Sequence, residues 1–136
     1  MAKVLTFVDS GILITAARGQ DLALKLRALT LLNEPNREFA SSRFVWLEVM
    51  PKAIWAKNLP EQKLYEIFFS AVSHWPNDYD AVIALAETEA ATAGLGSLDA
   101  LHVAAAKLVG AEELVTIEKP LKSIHRAQSI KVVSIR

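Results

Sequence analysis

Short apolar runs that recur between helix-length segments constrain this chain more than any other feature. Lys3-Val4-Leu5-Thr6-Phe7-Val8 is β-branched and aromatic, and its length suits a buried strand. Glu113-Leu114-Val115-Thr116-Ile117 and Lys131-Val132-Val133-Ser134-Ile135 repeat the pattern, and Arg37 to Ser41 is a brief further candidate. Strands separated by helices pair in parallel, because the chain must cross over to start each new strand in the same direction. The expected fold is a three-layer α/β/α sandwich with a short-stranded, mainly parallel central sheet. With 136 residues, 52% of them apolar, residues 1–136 suffice for one domain with its own core.

The intervening segments carry helix signals. Asp9-Ser10-Gly11 stops the first strand and opens a short helix from about Ile12 to Ala17. Asp21 to Leu32 has leucines at 22, 26, 29 and 32 on one face. Ser41 and Ser42 offer caps for a helix from Arg43, which Pro51 is expected to kink or restart. Pro60-Glu61 opens a helix to about Ser73, with Leu64, Ile67, Phe68 and Ala71 inward. Asp80 caps an alanine-rich helix to about Ala93, and Ser97 caps another with Leu98, Leu101, His102, Ala105 and Leu108 as its stripe. Gly110 ends that helix, and Pro120 to Ala127 reads as a last short one.

Composition excludes several classes of protein. Without cysteine there are neither disulfides nor thiolate metal sites. Fifteen basic and fifteen acidic residues cancel, which argues against a strongly cationic nucleic-acid binder. The longest uncharged stretch, Ile67 to Asn77, contains His74 and Pro76 and is far shorter than the roughly 20 apolar residues of a membrane span. No secretory signal is visible at the start. A soluble, cytoplasmic protein is the expectation. Charge is unevenly spread: residues 61–100 hold seven acids against one base, the plain reading of which is a solvated helix face.

Four acids stand apart from that pattern. Asp9 and Glu118 each lie just past a strand end, where parallel α/β sheets bind ligands. Glu48 is the one charge between Phe44 and Met50, and Asp99 sits in the first turn of its helix. Each has a plainer role: Asp9 as an N-cap worth about 1 kcal/mol, Glu48 paired with Lys52 for about 0.3–0.5 kcal/mol, Asp99 against the helix dipole, and Glu118 near the cap of the next helix. Four acids from four separated segments, each at an element end or in an apolar setting, also describe a carboxylate cluster. Hard oxygen donors without cysteine point to Mg²⁺ or Mn²⁺ rather than zinc, and such ions activate water and stabilise phosphoryl charge.

The segments holding these acids resemble the motifs of PIN domains. Val8-Asp9-Ser10-Gly11-Ile12-Leu13 is similar to the opening motif and Ser42-Arg43-Phe44-Val45-Trp46-Leu47-Glu48-Val49 to the second. Ser97-Leu98-Asp99-Ala100-Leu101-His102-Val103-Ala104-Ala105-Ala106 is similar to the third, and Leu114-Val115-Thr116-Ile117-Glu118 to the fourth. By length and pattern the resemblance is to the VapC-like ribonuclease toxins of type II toxin–antitoxin pairs. It implies a PIN-like fold and a metal-dependent endoribonuclease, with Asp9, Glu48, Asp99 and Glu118 as the catalytic acids. Asp9, Asp99 and Glu48 are then the ligands of Mg²⁺ or Mn²⁺, and Ser10, Thr116 and His102 support them. Family members commonly carry aspartate at the fourth position, where Glu118 is one methylene longer.

The resemblance also implies an RNA substrate, a homodimer, and an antitoxin partner that inserts a segment near the acids. Arg18, Arg37, Arg43 and Lys119 are candidates to hold the RNA backbone. Trp46, Trp55 and Trp75 are candidates to stack on bases, although core or interface packing is their plainer role. His102 has the unperturbed pKa of a general base, near 6.5, but a packed, supporting histidine is the expected role. Two other readings stay open. One is a weakly active or inactive binding module that works through a partner protein. The other is a phosphotransferase or dehalogenase-like enzyme with Asp9 as nucleophile, which the glycine at position 11 disfavours because such enzymes usually carry a second aspartate there.

Overall fold

The computed structural model describes residues 2–136. Strands β1 (Val4–Val8), β2 (Arg37–Ala40), β3 (Val72–His74), β4 (Glu113–Thr116) and β5 (Lys131–Ser134) form one parallel sheet in the order β3-β2-β1-β4-β5. The helices are α1 (Ser10–Arg18), α2 (Leu22–Leu32), α3 (Arg43–Trp55), α4 (Leu59–Ala71), α5 (Tyr79–Ala93) and α6 (Ser97–Leu108). The steps from β1 to β2 to β3 run one way across the sheet, and those from β3 to β4 to β5 run the other. Parallel connections are right-handed, so α1 to α4 cover one face and α5 and α6 the other. Helix contacts divide accordingly: α1 meets α2, α3 and α4, while α5 packs chiefly on α6. This is the expected α/β/α sandwich.

Both faces of the central strands are therefore covered. Phe7 and Val8 of β1 and Leu114 and Val115 of β4 are buried, which is why these strands read as continuous apolar runs rather than alternating ones. At the opposite, amino-terminal edge of the sheet, Arg37 donates to Thr6 Oγ1 at 2.7 Å and pairs with Glu113 and Glu34. One guanidinium thus ties the starts of β1, β2 and β4 together. Arg37 is a structural residue, not the RNA-holding one its charge suggested.

Several local expectations give way to tertiary packing. Helix α3 runs unbroken through Pro51. The carbonyl that Pro51 leaves without a donor belongs to Leu47, which is 64% exposed, so water can satisfy it. Three residues after α4 form β3, a strand too short and polar to announce itself, held against β2 by its backbone. The inner face of α4 is Glu61, Tyr65 and Phe68, not Ile67 and Ala71. There the Tyr65 hydroxyl donates to Glu61 Oε2 at 2.6 Å, a buried polar pair that an apolar-stripe search passes over. Burial, reinforced by Glu61, pushes the Tyr65 hydroxyl up and keeps it a donor.

The caps also shift. Asp78 rather than Asp80 caps α5, accepting from the Ala81 N–H at 3.0 Å. Gly96 rather than Ser97 caps α6. On α6 the buried positions include Ala100 and His102 through Ala106, while Leu98 and Leu108 are exposed. The helix is covered on more than one side, and its alanines let neighbours approach closely. Pro120 to Ala127 holds only a 3₁₀ turn, Ser123–Arg126.

Replacing Pro51 with Ala restores a helix hydrogen bond in the middle of α3. Pro costs about 3 kcal/mol relative to Ala in a helix interior, offset by the smaller entropy it loses on folding. Chemical denaturation should show Pro51→Ala more stable by about 1–2 kcal/mol. A loss of stability would mean that α3 packing depends on the local geometry that proline imposes.

Candidate active site

The direction of the crossovers reverses between β1 and β4, so the chain leaves these adjacent strands toward opposite sides. Such a switch point opens a crevice at the carboxyl ends of the strands. Gly11 lies where α1 starts against the exit of β4: a Cβ there would stand 2.9 Å from Ile117 Cγ1. Glycine at this position is therefore a matter of close approach.

Asp9 sits at the β1 side of the crevice and does two things at once. Its Oδ1 accepts from the Ser10 N–H at 2.9 Å, capping α1, and its Oδ2 accepts from the Thr116 hydroxyl, also at 2.9 Å. The N-cap role is present, and it leaves the second carboxylate oxygen turned toward Thr116 at the end of β4. Thr116 is fully buried and in turn accepts from the Glu118 N–H at 3.1 Å, so one hydroxyl links the acids beyond β1 and β4. The His125 Nε2 donates to the Glu118 carbonyl at 3.0 Å, a support with no signature in the sequence.

Glu48 enters from α3. Its hydrogen-bond partner is not Lys52, whose charge acts on it only as a minor influence. His102 Nε2 donates to Glu48 Oε1 at 2.5 Å and lies 3.8 Å from Asp9 Oδ1. His102 is 1% exposed and sits one helical turn beyond Asp99, so it stands among three of the acids. The Asp99 side chain is half-buried and makes no hydrogen bond among the described residues. Beside the crevice, Ser41 and Ser42 follow β2 with buried hydroxyls that have no partner among the described residues.

The charges of this group act on one another. Burial raises the pKa of Asp9, and the Glu48 charge adds to it; His102, Thr116 and Ser10 oppose without cancelling. Burial also raises Asp99, reinforced by Asp9, Glu118 and Glu48. For His102, burial works against the charged form, but the Glu48 hydrogen bond and the charges of Asp9, Glu48 and Asp99 outweigh it and hold the imidazole above its ordinary value. Glu48 goes the other way: burial raises it, but the His102 bond dominates the balance together with Ser10 and Lys52, and it is lowered.

Among the described residues, no three acidic or histidine side chains are gathered tightly enough to hold a metal ion as they lie. The donor set nevertheless fits a hard divalent cation in kind. Its oxygens are all carboxylate, and Asp99 feels the negative charge of the other three.

The other candidates are dispersed. Arg43 lies over the Trp46 ring at 4.6 Å, and the Tyr79 hydroxyl accepts from its backbone N–H at 3.0 Å. Arg18 ends α1, near enough to Tyr65 to act on its hydroxyl. Lys119 is exposed directly after Glu118. Trp55 is 87% exposed rather than packed.

These features define a parallel α/β protein with an acidic switch-point crevice. A model of the PIN domain matches residues 6–125, and the chain belongs to that family. A comparison with curated proteins finds no match. Solved structures share the fold at low identity. A chain of the Rickettsia felis VapBC2 complex, bound to a promoter DNA fragment, is 19% identical, with TM-score 0.71 and 98% of this chain and 100% of that one covered. VapBC-1 from nontypeable Haemophilus influenzae is 16% identical at TM-score 0.68, covering 96% and 98%. A Klebsiella pneumoniae toxin–antitoxin complex is 23% identical at 0.65, covering 83% and 86%. Among the described residues no helix is long and apolar enough to cross a membrane.

The raised Asp99 has a definite consequence for stability. A carboxyl whose folded pKa lies above its unfolded value holds its proton more tightly when folded, so it costs stability as pH rises past the unfolded value. Asp99→Asn removes that cost. At neutral pH without metal the variant should be more stable by up to about 1 kcal/mol, a figure kept small because the group is partly solvated. The gain should shrink toward zero as pH falls below about 4. Thermal melts across pH check this; a variant less stable at pH 7 would make Asp99 only a partner of the helix dipole.

Proposed function

We propose that this protein is a metal-dependent endoribonuclease that hydrolyses RNA phosphodiester bonds in the cytoplasm, and that it is the VapC-like toxin of a toxin–antitoxin pair. The observation that carries the reading is the gathering of acids at the β1/β4 crevice: His102 lies 2.5 Å from Glu48 and 3.8 Å from Asp9, Thr116 links Asp9 to the Glu118 backbone, and burial together with these acids raises the proton affinity of Asp99. Asp9, Asp99 and Glu48 would hold Mg²⁺ or Mn²⁺, with Glu118 at the edge of the set. When bound, such an ion supplies an activated water and offsets charge on the phosphoryl oxygens.

The chain's own residues do the rest. Thr116 orients the Asp9 carboxylate through its hydroxyl, and the Ser10 N–H holds the other oxygen. His102 fixes the rotamer of Glu48, and the surrounding acids raise its affinity for a proton, so that protonating it would limit their mutual repulsion. His102 is thus a positioning residue.

The partners belong to the same proposal. The structural neighbours are toxin–antitoxin complexes. An apolar cavity of about 240 Å³ between α2 and α4, lined by Leu29, Leu32, Phe39, Leu64, Ile67 and Phe68, suits an apolar segment of an antitoxin. That lining includes none of the four acids, so a separate stretch of the antitoxin would bring a basic side chain to compensate them much as a cation does. Exposed Trp55 and Leu59 offer surface for a homodimer. The second reading, a partner-binding module with little activity, is favoured by the open spacing of the carboxylates.

Incubating the purified protein with mixed structured RNAs, with Mg²⁺, with Mn²⁺ and with chelator, separates the two. Cleavage should require the metal, and Asp9→Asn or Asp99→Asn should reduce it at least about 100-fold. Thr116→Val, which leaves the carboxylates in place but removes the hydroxyl orienting Asp9, should cost about 10–100-fold. Wild-type levels of cleavage in both aspartate variants would end the assignment. Sedimentation at tens of micromolar should show a dimer.

A further inference from the structure

We propose that Arg27, Lys119 and Arg136 form a subsite that holds a backbone phosphate of the RNA strand where it passes the acidic crevice. The proposal rests on the reading of RNA as the substrate. The three residues line a single cavity of about 260 Å³, together with Asp21, Ala23 and Leu24. They come from three separate parts of the chain: α2, the segment after β4, and the residue that ends the described chain beyond β5.

Their surroundings leave the charge available. None of the ion pairs among the described residues involves them. The one acidic side chain lining the cavity, Asp21, uses Oδ1 to accept from the Leu24 N–H at 3.2 Å and so caps α2. Arg27 Nη1 donates to the Ile135 carbonyl at 3.2 Å, and Arg136 Nε donates to the Ile117 carbonyl at 2.8 Å. Each of these bonds occupies one of the five N–H donors of a guanidinium and steadies the group, leaving the others free. Three cations around one cavity repel each other, and an anion between them reverses that cost.

Position and size point to a phosphate of the substrate strand. Lys119 directly follows Glu118, and Arg136 is fastened one residue before it, so the cavity adjoins the β4 side of the crevice. The crevice itself is acidic and repels RNA, so neighbouring cations must supply the attraction. Arg37 is committed at the far edge of the sheet, and Arg43 stacks on Trp46. The volume is below the roughly 300–1,000 Å³ of pockets that enclose a drug-sized molecule. It suits one charged group crossing the surface.

The test is the salt dependence of binding to a 2′-O-methyl RNA of mixed sequence, which cannot be hydrolysed through its 2′-hydroxyls, measured without added metal between about 50 and 200 mM salt. Each phosphate contact on a single strand contributes about 0.7 to the slope of log affinity against log salt. Lys119→Gln and Arg27→Gln should each lower the slope by up to about that amount, and the double variant by no more than one phosphate's worth, weakening binding alike for every sequence, while Arg27→Lys should largely restore it. All three positions are exposed, so these variants should fold. Lys107→Gln, at the other end of α6 from Asp99, is the control and should leave the slope unchanged.

Equal slopes in the wild type, Lys119→Gln and Arg27→Gln would overturn the subsite. So would stabilisation by inorganic phosphate that these variants abolish with no change in RNA slope, which would indicate a free-anion site. If the slopes fall as expected but the wild type cleaves no RNA with either metal, the subsite stands and the nuclease reading fails. If the wild type cleaves and the slopes do not change, the opposite holds.

Discussion

The reversal of chain direction between β1 and β4 is the constraint on which the rest of the molecule depends. A parallel sheet needs crossovers, and right-handed crossovers that step both ways from the centre must part somewhere. Here they part between the two most deeply buried strands. Asp9 and Glu118 stand at the parting because each is among the first residues past its strand. The Thr116 hydroxyl spans the gap, donating to Asp9 while accepting from the Glu118 backbone. Gly11 lets α1 start without striking Ile117. The crevice, its acids and its buried link follow from one topological fact.

Electrostatics then explains why the site holds together. Four carboxylates in one neighbourhood repel, and burial makes ionising Asp9 and Asp99 harder still. His102 is the internal counterweight, bonded to Glu48 and close to Asp9. Its own burial disfavours the charged form, yet the surrounding acids outweigh that and raise its affinity for a proton. The balance is local: repulsion is reduced rather than removed, and burial and the neighbouring acids together keep Asp9 and Asp99 hard to ionise. Arg27, Lys119 and Arg136 lie outside, around their own cavity, where they do not neutralise the acids.

Elements whose local chemistry and tertiary surroundings agree were legible from the sequence. β1, β4 and β5 carry β-branched runs that burial only reinforces, and α1 and α2 begin at aspartates that do cap them. Legibility failed where a distant group outvoted the local pattern. Val72–His74 becomes a strand because β2 offers it an edge, not because of its residues. Pro51 stays helical because the turn it disturbs faces water. The stripe expected on α4 missed the buried Glu61–Tyr65 pair, since a polar residue turns inward only when its partner is known.

The four acids were likewise visible as residues out of pattern, but their relations were not. The sequence alone determined the alternation of strands and helices, the parallel sheet that follows from it, and the placing of Asp9 and Glu118 beyond strand ends, because these depend on spacing and side-chain type along the chain. Only the tertiary structure decided that Glu48 pairs with His102 rather than Lys52, that Thr116 bridges to Asp9, and that Arg37 is spent at the far edge while Lys119 joins Arg27 and Arg136. Those pairings join residues up to 109 positions apart. A hydrogen bond or a charge interaction depends on distance in space, which local sequence does not encode.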